Sequence, residues 1–301
     1  MATVTQPLAG TRVTTHANPI RPIWRGIVVV FTYAILIAFA IAMIVPFIYT
    51  VANSLKTLPD INQNPQLLYA TDGWTLNGYT QVVQTGQLDF LHVLFNSFLF
   101  AILTMLGHLI FDSMAGYAIA RIRFPGRTIA FALLVGTMMV PNIVLLIPRF
   151  LILKQLSLVN TYGGLILPTV ADAFGVFLMK QFFESIPADI EEAAFIDGAG
   201  RFRMFFTVIL PMATPALTAL AIFGFQGAWN DFTGPLISVG AEKSLYTLPL
   251  ALAFLRGSTG DVLQWDILLA GSVITTIPMA ILFFIFQRFF IEGVTYTGIK
   301  G

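Results

Sequence analysis

The sequence has 301 residues, 57% of them hydrophobic and 10% charged, with a net charge of +1 and a mean hydropathy of +0.83. A soluble surface of this size needs about a quarter of its residues charged, and a disordered chain needs low hydrophobicity with high charge, so both classes are excluded and the chain belongs in a bilayer. The small net charge leaves no basic excess for nucleic acid; the absence of Cys removes disulfides and thiolate metal sites, and His16, His92 and His108 are too scattered for metal-ligand spacing.

A membrane helix needs about 20 apolar residues to cross roughly 30 Å of hydrocarbon, and six runs of that kind occur. The first, 26–51, follows a polar tail (residues 1–25) carrying Arg12, Arg21 and Arg25. It is too long for a signal-peptide core and has no small-residue cleavage site, which predicts a retained anchor. The others cover 91–118, 129–151, 163–183, 212–229 and 267–290. Pro141 and Pro148 in the third run, and Pro211 and Pro215 at the start of the fifth, predict kinks, because proline lacks an N–H and clashes with the preceding turn.

With the N-terminus inside, Arg12, Arg21, Arg25, Arg121, Arg123, Arg127, Lys180, Arg201, Arg203, Arg288 and Lys300 all fall on the cytoplasmic side. These are eleven of the 16 basic residues, so the positive-inside bias predicts both termini in the cytoplasm. Residues 52–90 and 230–266 are then the long outer loops, with a short one at 154–162. No repeat of 20 to 50 residues and no inverted-repeat symmetry occurs. No G-x-x-x-x-G-K-[ST] loop occurs either, so any ATP-driven work must use a nucleotide held by another subunit.

The segment 185–211, SIPADIEEAAFIDGAGRFRMFFTVILP, is the most unusual in the chain. Ser185 and Pro187 supply a helix start, and Asp189, Glu191 and Glu192 suit the positive end of its dipole. Gly198 and Gly200 end that helix, and Arg201 and Arg203 open another. Ala193 and Ala194 offer a small flat surface with Phe195 beside it, a shape suited to a groove in another protein. The alternative is an amphipathic helix lying on the inner membrane face, which its acids disfavour beside anionic lipid.

Glu192-Ala193-Ala194, three residues, Gly198, nine residues and Val208-Ile209-Leu210-Pro211 resemble the EAA loop of ABC importer permeases, with Val208 where Ile is usual. SLKT at 54–57, AxARxxFPG at 118–126, WNDF at 229–232 and EGVTYTGIKG at 292–301 are similar to the carbohydrate-uptake branch, specifically the shorter permease of the maltose type. The resemblance runs from residue 25 to 301. It implies an all-α integral membrane protein with six spans and the type I permease fold, in a bacterial or archaeal cytoplasmic membrane. It also implies a second permease, two ATPase subunits that hold ATP and Mg, and an external solute-binding protein, with a sugar or sugar derivative as cargo. Glu192, Ala193, Ala194, Asp197 and Gly198 would form the coupling element seated on an ATPase, with Arg201 and Arg203 adding polar contacts. No catalytic residue, metal or cofactor of the chain's own is implied. The outer GSTGD cluster at 257–261 would reach the binding protein, and the tail 295–301 would enter the ATPase interface.

Among the remaining residues, Asp172 lies about nine residues into the fourth run, roughly 13 Å deep, where a charge costs at least about 2.5 kcal/mol. It should face the bundle interior or water, either accepting hydrogen bonds from sugar hydroxyls or serving as a protonated or interhelically paired carboxyl. Asn230 and Asp231 lie at the outer end of the fifth run beside Trp229 and either line the pathway or anchor the interface as part of an aromatic belt. Asp112 is expected near the inner interface with Arg121 and Arg123, and His108 as a buried, hydrogen-bonded ring. A proton-coupled secondary transporter using Asp172, Asp112 and His108 is the rival reading, and the missing repeat symmetry and the EAA segment weigh against it. An intramembrane hydrolase fails for want of any H-E-x-x-H, G-x-S-x-G or paired-aspartate motif.

Overall fold

The computed structural model describes residues 20–84, 89–258 and 264–297, and all regular structure among them is helical. The chain divides into two units, Met1–Tyr49 and Thr50–Gly301. Helix α1 (Ile20–Ser54) is apolar on every side, with Ile27, Phe31, Leu36, Phe39 and Ile41 all more than half exposed. Such a surface suits lipid. The expected tail lies largely outside the described residues.

In the second unit the segment after α1, expected from the sequence to be an outer loop, is a folded element. Helices α2 (Leu58–Gln63) and α3 (Asn77–Gln84) flank a polar knot. Lys56 is fully buried and donates to the carbonyls of Asn64 (3.2 Å) and Leu67 (2.5 Å). Asp60, also buried, accepts from the Thr71 amide (2.8 Å) and hydroxyl (2.6 Å) and from Asn64 Nδ2 (3.3 Å). Buried charges persist when their hydrogen-bonding capacity is met in this way. The Thr71 hydroxyl is the main reason that the Asp60 carboxyl is held below its ordinary range.

Helix α4 (Phe90–Gly107) is capped by Asp89 and runs through a π-helical turn, His108–Asp112, into α5 (Ser113–Arg121). The third apolar run is α6 (Arg127–Met138) followed, past a 3-10 turn, by α7 (Leu146–Gln155); the two limbs are bent by 96°. The break precedes Pro141, which cannot donate to the helix before it. The fourth is α8 (Tyr162–Ile166), a 3-10 turn, and α9 (Ala173–Ser185). After α10 (Ala188–Ile196), the chain forms α11 (Arg201–Met204), a π-helical turn, α12 (Leu210–Met212) and α13 (Thr214–Asn230), with a bend of 82° around Ala213, just ahead of Pro215. Helices α14 (Thr233–Val239), α15 (Leu248–Ser258) and α16 (Trp265–Thr297) complete the described chain. Four helical stretches are long and apolar enough to cross a membrane, and six if each bent pair counts as one span. The expected kinks are thus sharp bends, and the third and fifth runs are not single rods.

Two clusters hold the second unit together. One joins Tyr117, Met179, Phe183, Phe205 and Leu220, with the Tyr117 and Phe183 rings edge to face at 5.8 Å. Gly116 lets α5 and α9 approach closely, since a Cβ there would lie 2.8 Å from Met179 Cβ, the small-residue contact by which helices pack in lipid. The other joins Phe100, Leu165, Trp229, Val239 and Leu248. Trp229 belongs to this core and not to an interfacial belt: it is 2% exposed and donates to the Thr275 carbonyl at 3.1 Å. Nor is the stretch from Thr233 a bare connector, because α14, Leu245, Tyr246 and α15 build part of this core. Buried Asn96 ties it together, donating to the Ser244 and Tyr246 carbonyls and accepting from the Tyr162 hydroxyl at 2.7 Å.

Candidate functional site

The coupling segment forms the expected helix, glycine break and second helix. Ser185 ends α9, and α10 begins at Ala188 after Pro187. Asp197 is the C-cap and Gly198 follows at φ +78°, a left-handed conformation that glycine adopts without steric penalty. Gly200 then caps α11.

The surface of this segment differs from the sequence expectation in one respect. Glu192, Ala193 and Asp197 are exposed, as are Arg201 and Arg203, but Ala194 turns inward and packs with Ile190 and Ala199 against the cluster around Phe183. The outward face is instead Ala193 with Phe195, Ile196 and Phe202, whose side chains are 72%, 84% and 74% exposed. Ile196 and Phe202 were legible as apolar residues flanking the glycine break, but their facing follows from the turn at Gly198.

One arginine fixes this segment to the bundle. Arg121, last residue of α5, donates to the carbonyl of Phe183 through Nε (3.1 Å) and Nη2 (2.5 Å), reaches the Ile186 carbonyl as well, and lies 3.3 Å from Glu191. It therefore closes the carbonyl end of α9 and holds the first turn of α10. Charge-assisted bonds of this kind are about twice as strong as neutral ones. Arg121 carries the cationic position of the AxAR stretch, and sequence alone gave it no such role.

The second candidate region is an open cavity of about 1200 Å³, lined among others by Thr104, His108, Arg149, Asp172, Asn230 and Asp231. All three predicted pathway residues line it. Asp172 is not in mid-helix, however. It is the N-cap of α9 at the break after α8, and its Oδ1 accepts from the Gly175 amide at 2.6 Å. That break leaves the residue open to the cavity, which removes the need to bury a charge in hydrocarbon.

Asp112 departs further from expectation. It does not join Arg121 and Arg123 at the interface but is fully buried, with Oδ2 2.6 Å from His108 Nδ1 and Oδ1 accepting from the Asp172 amide at 3.1 Å. His108 is the buried, bonded ring expected. Ligand atoms of His108, Asp112 and Asp172 lie within 4.8 Å of one another, a grouping that sequence spacing did not reveal. Capping and pairing account for it, since both Asp112 oxygens are already engaged. Asn230 Nδ2 donates to Gln226 O at 3.1 Å, and Asp231 Oδ1 accepts from the Gly234 amide at 3.0 Å. Of the outer GSTGD cluster, α15 includes 257 and 258 and the rest lies outside the described residues; so does the end of the tail, 298–301.

Against known proteins, residues 112–296 match the family model described as binding-protein-dependent transport system inner membrane component. The chain is 41% identical over 206 residues to the arabinooligosaccharides transport system permease protein AraQ of Halalkalibacterium halodurans, covering 68% of this chain and 73% of that protein. It is 34% identical over 267 residues to the trehalose/maltose transport system permease protein MalG of Thermococcus litoralis, covering 88% and 94%. Among solved structures, a chain of a bacterial ABC transporter involved in the import of the acidic polysaccharide alginate superposes with a TM-score of 0.75 at 24% identity, over 92% of this chain and all of that one. At that identity the likeness is one of fold.

Proposed function

The chain belongs to the family of binding-protein-dependent transport system inner membrane components, and from that premise we propose that it forms, with a second permease, the membrane pathway for a sugar or sugar derivative. It is a permease subunit of an ABC importer and not itself an enzyme. Its relatives include permeases named for arabinooligosaccharides, trehalose or maltose, and diacetylchitobiose. A proton-coupled carrier is accordingly set aside.

In this reading the six apolar runs are six spans, each bent pair being one, and residues 26–301 form the permease domain behind a cytoplasmic tail. The excess of Lys and Arg on one side puts both termini in the cytoplasm of a bacterial or archaeal cell. Two ATPase subunits bind ATP and Mg, one of them seated against the segment 185–211, while a solute-binding protein meets the outer segments. Glu192, Ala193, Asp197, Gly198, Arg201 and Arg203 are the docking residues, with Ala194 acting from behind as packing; Phe195, Ile196 and Phe202 join them as the apolar contact. Asp172, Asn230 and Asp231 line the path.

The observation that carries the proposal is the exposed apolar face of α10, held by Arg121 to α5 and to α9, whose first turn lines the cavity at Phe174. A rigid link lets closure of an ATPase dimer be felt as movement of α5 and α9. Replacing Ala193 by Trp tests it: the indole should keep the surfaces apart, so the permease should insert normally and lose its ATPase subunits on purification. Retention of those subunits with normal uptake would show that α10 lies on the membrane instead.

A further inference from the structure

The cavity contains a cation whose donors the chain does not satisfy. Arg149, on α7, lines it, and its Nε and Nη2 are buried without a hydrogen-bond partner. Buried donors are nearly always paired in native proteins, so an orphan in a cavity marks a place where a ligand supplies the acceptor. Asp231 stands close by, because its Oδ2 and Arg149 Nη2 both lie within 4 Å of the point where a Cβ on Gly234 would be. The two do not close to an ion pair, and no carboxylate among the described residues lies within 4.0 Å of this guanidinium. The guanidinium charge is thus balanced at a distance while its donors stay free.

Elsewhere in the same cavity are Asp172 and an edge-to-face ring pair, Phe174 and Phe223, with centroids 5.7 Å apart. Both residues line the cavity and are more than 40% exposed. Aromatic faces accept the C–H side of a sugar ring, a guanidinium donates to hydroxyl oxygens, and carboxylates accept hydroxyl protons. The lining carries the carboxylates of Asp172 and Asp231 against the guanidinium of Arg149, so an added anion meets two carboxylates for one guanidinium.

We propose that Arg149 and Asp231 together bind the hydroxyl groups of an uncharged sugar in this cavity, and that the carboxylates of Asp172 and Asp231 exclude sugars bearing a carboxylate, phosphate or sulfonate. This rests on the permease function proposed above and adds to it the charge class of the cargo and the residue that reads it. An acceptor on the second permease is the competing partner for Arg149.

The test uses the assembled complex in nanodiscs, without binding protein, and saturation-transfer NMR with maltotriose, arabinotriose and trigalacturonate at equal concentration. At least one neutral trisaccharide should give signal and trigalacturonate none. Arg149→Gln should weaken the neutral signal by about tenfold at unchanged complex yield, as expected for loss of charge-assisted bonds. Asp231→Asn should admit trigalacturonate. The inference is overturned by trigalacturonate binding as well as the neutral sugars, by silence from all three, or by unchanged neutral binding in Arg149→Gln. Should Arg149→Gln fail to assemble, Asp231→Asn decides: unaltered charge selectivity then assigns Arg149 to the second permease. ATP-driven uptake of some saccharide by the unmodified complex keeps the permease function standing in each of these cases; its complete absence would sink that function instead.

Discussion

Glycine does opposite work in the two functional regions. At the coupling segment Gly198 sits in open space, with nothing within 4 Å of an added Cβ, and is required by its φ of +78°. At the cavity Gly175 is required for room, since a Cβ there would overlap Asp112 Oδ2 and lie 2.7 Å from Asp112 Cγ. One region is shaped by local backbone conformation and presents its apolar side chains outward. The other is shaped by close approach of distant segments and turns its polar groups inward. An added methyl therefore has room within the chain at Gly198 and none at Gly175, where a buried network of fixed oxygens already fills the space.

The sharpest way to break this contrast is Gly175→Ala. Asp112 cannot swing aside without losing both His108 and the Asp172 amide, so overpacking should cost about 3 kcal/mol, read as a fall in complex yield and in detergent melting temperature. Equal yields for Gly175→Ala and Gly198→Ala would collapse the distinction. Next in size, Arg121→Ala removes the charged donors that close α9, leaving the Phe183 carbonyl with only the Ile186 amide and the Ile186 carbonyl without its charged donor, about 2 kcal/mol. The complex should still assemble, but ATPase activity should lose its dependence on loaded binding protein, because the docking helix is no longer held to α5.

Gly198→Ala should cost about 1 kcal/mol, the penalty of a left-handed conformation for a residue with a Cβ. Its effect should appear in affinity for the ATPase subunits and not in insertion. Asp172→Asn sharpens the contrast from the cavity side: Asn caps a helix as well as Asp, so yield should hold while uptake slows by several-fold, about 1 kcal/mol in barrier. Unchanged uptake would leave Asp172 as a cap and nothing more.

The smallest expected effect lies in the polar knot between α2 and α3. The Asp60 carboxyl is held below its ordinary range chiefly by Thr71. A depressed folded-state value means that the stabilisation is complete above the ordinary carboxylate range and lost as pH falls through the lowered value. Thr71→Ala should move that loss to higher pH, seen as earlier hydrogen exchange across residues 55–76 on acidification, after correction for intrinsic rates.

The sequence by itself determined the helical class, the positions of six apolar runs and the resemblance of 185–211 to the EAA loop, because each is written in neighbouring residues: twenty apolar positions in a row, or an EAA stretch followed by glycine at fixed spacing. It also marked Asp172, Asn230 and Asp231, since charged and polar groups in or beside apolar runs stand out. The tertiary structure alone decided that Asp112 lies beneath Asp172 rather than at the interface, that Ala194 faces inward, that Trp229 is core, and that Arg121 grips the end of α9. It also brought Arg149 into the cavity with Asp231. The reason is physical: a π-helical turn at His108–Asp112 and bends of 96° and 82° re-aim every side chain beyond them, and counting residues along a straight helix cannot anticipate where such breaks send the chain.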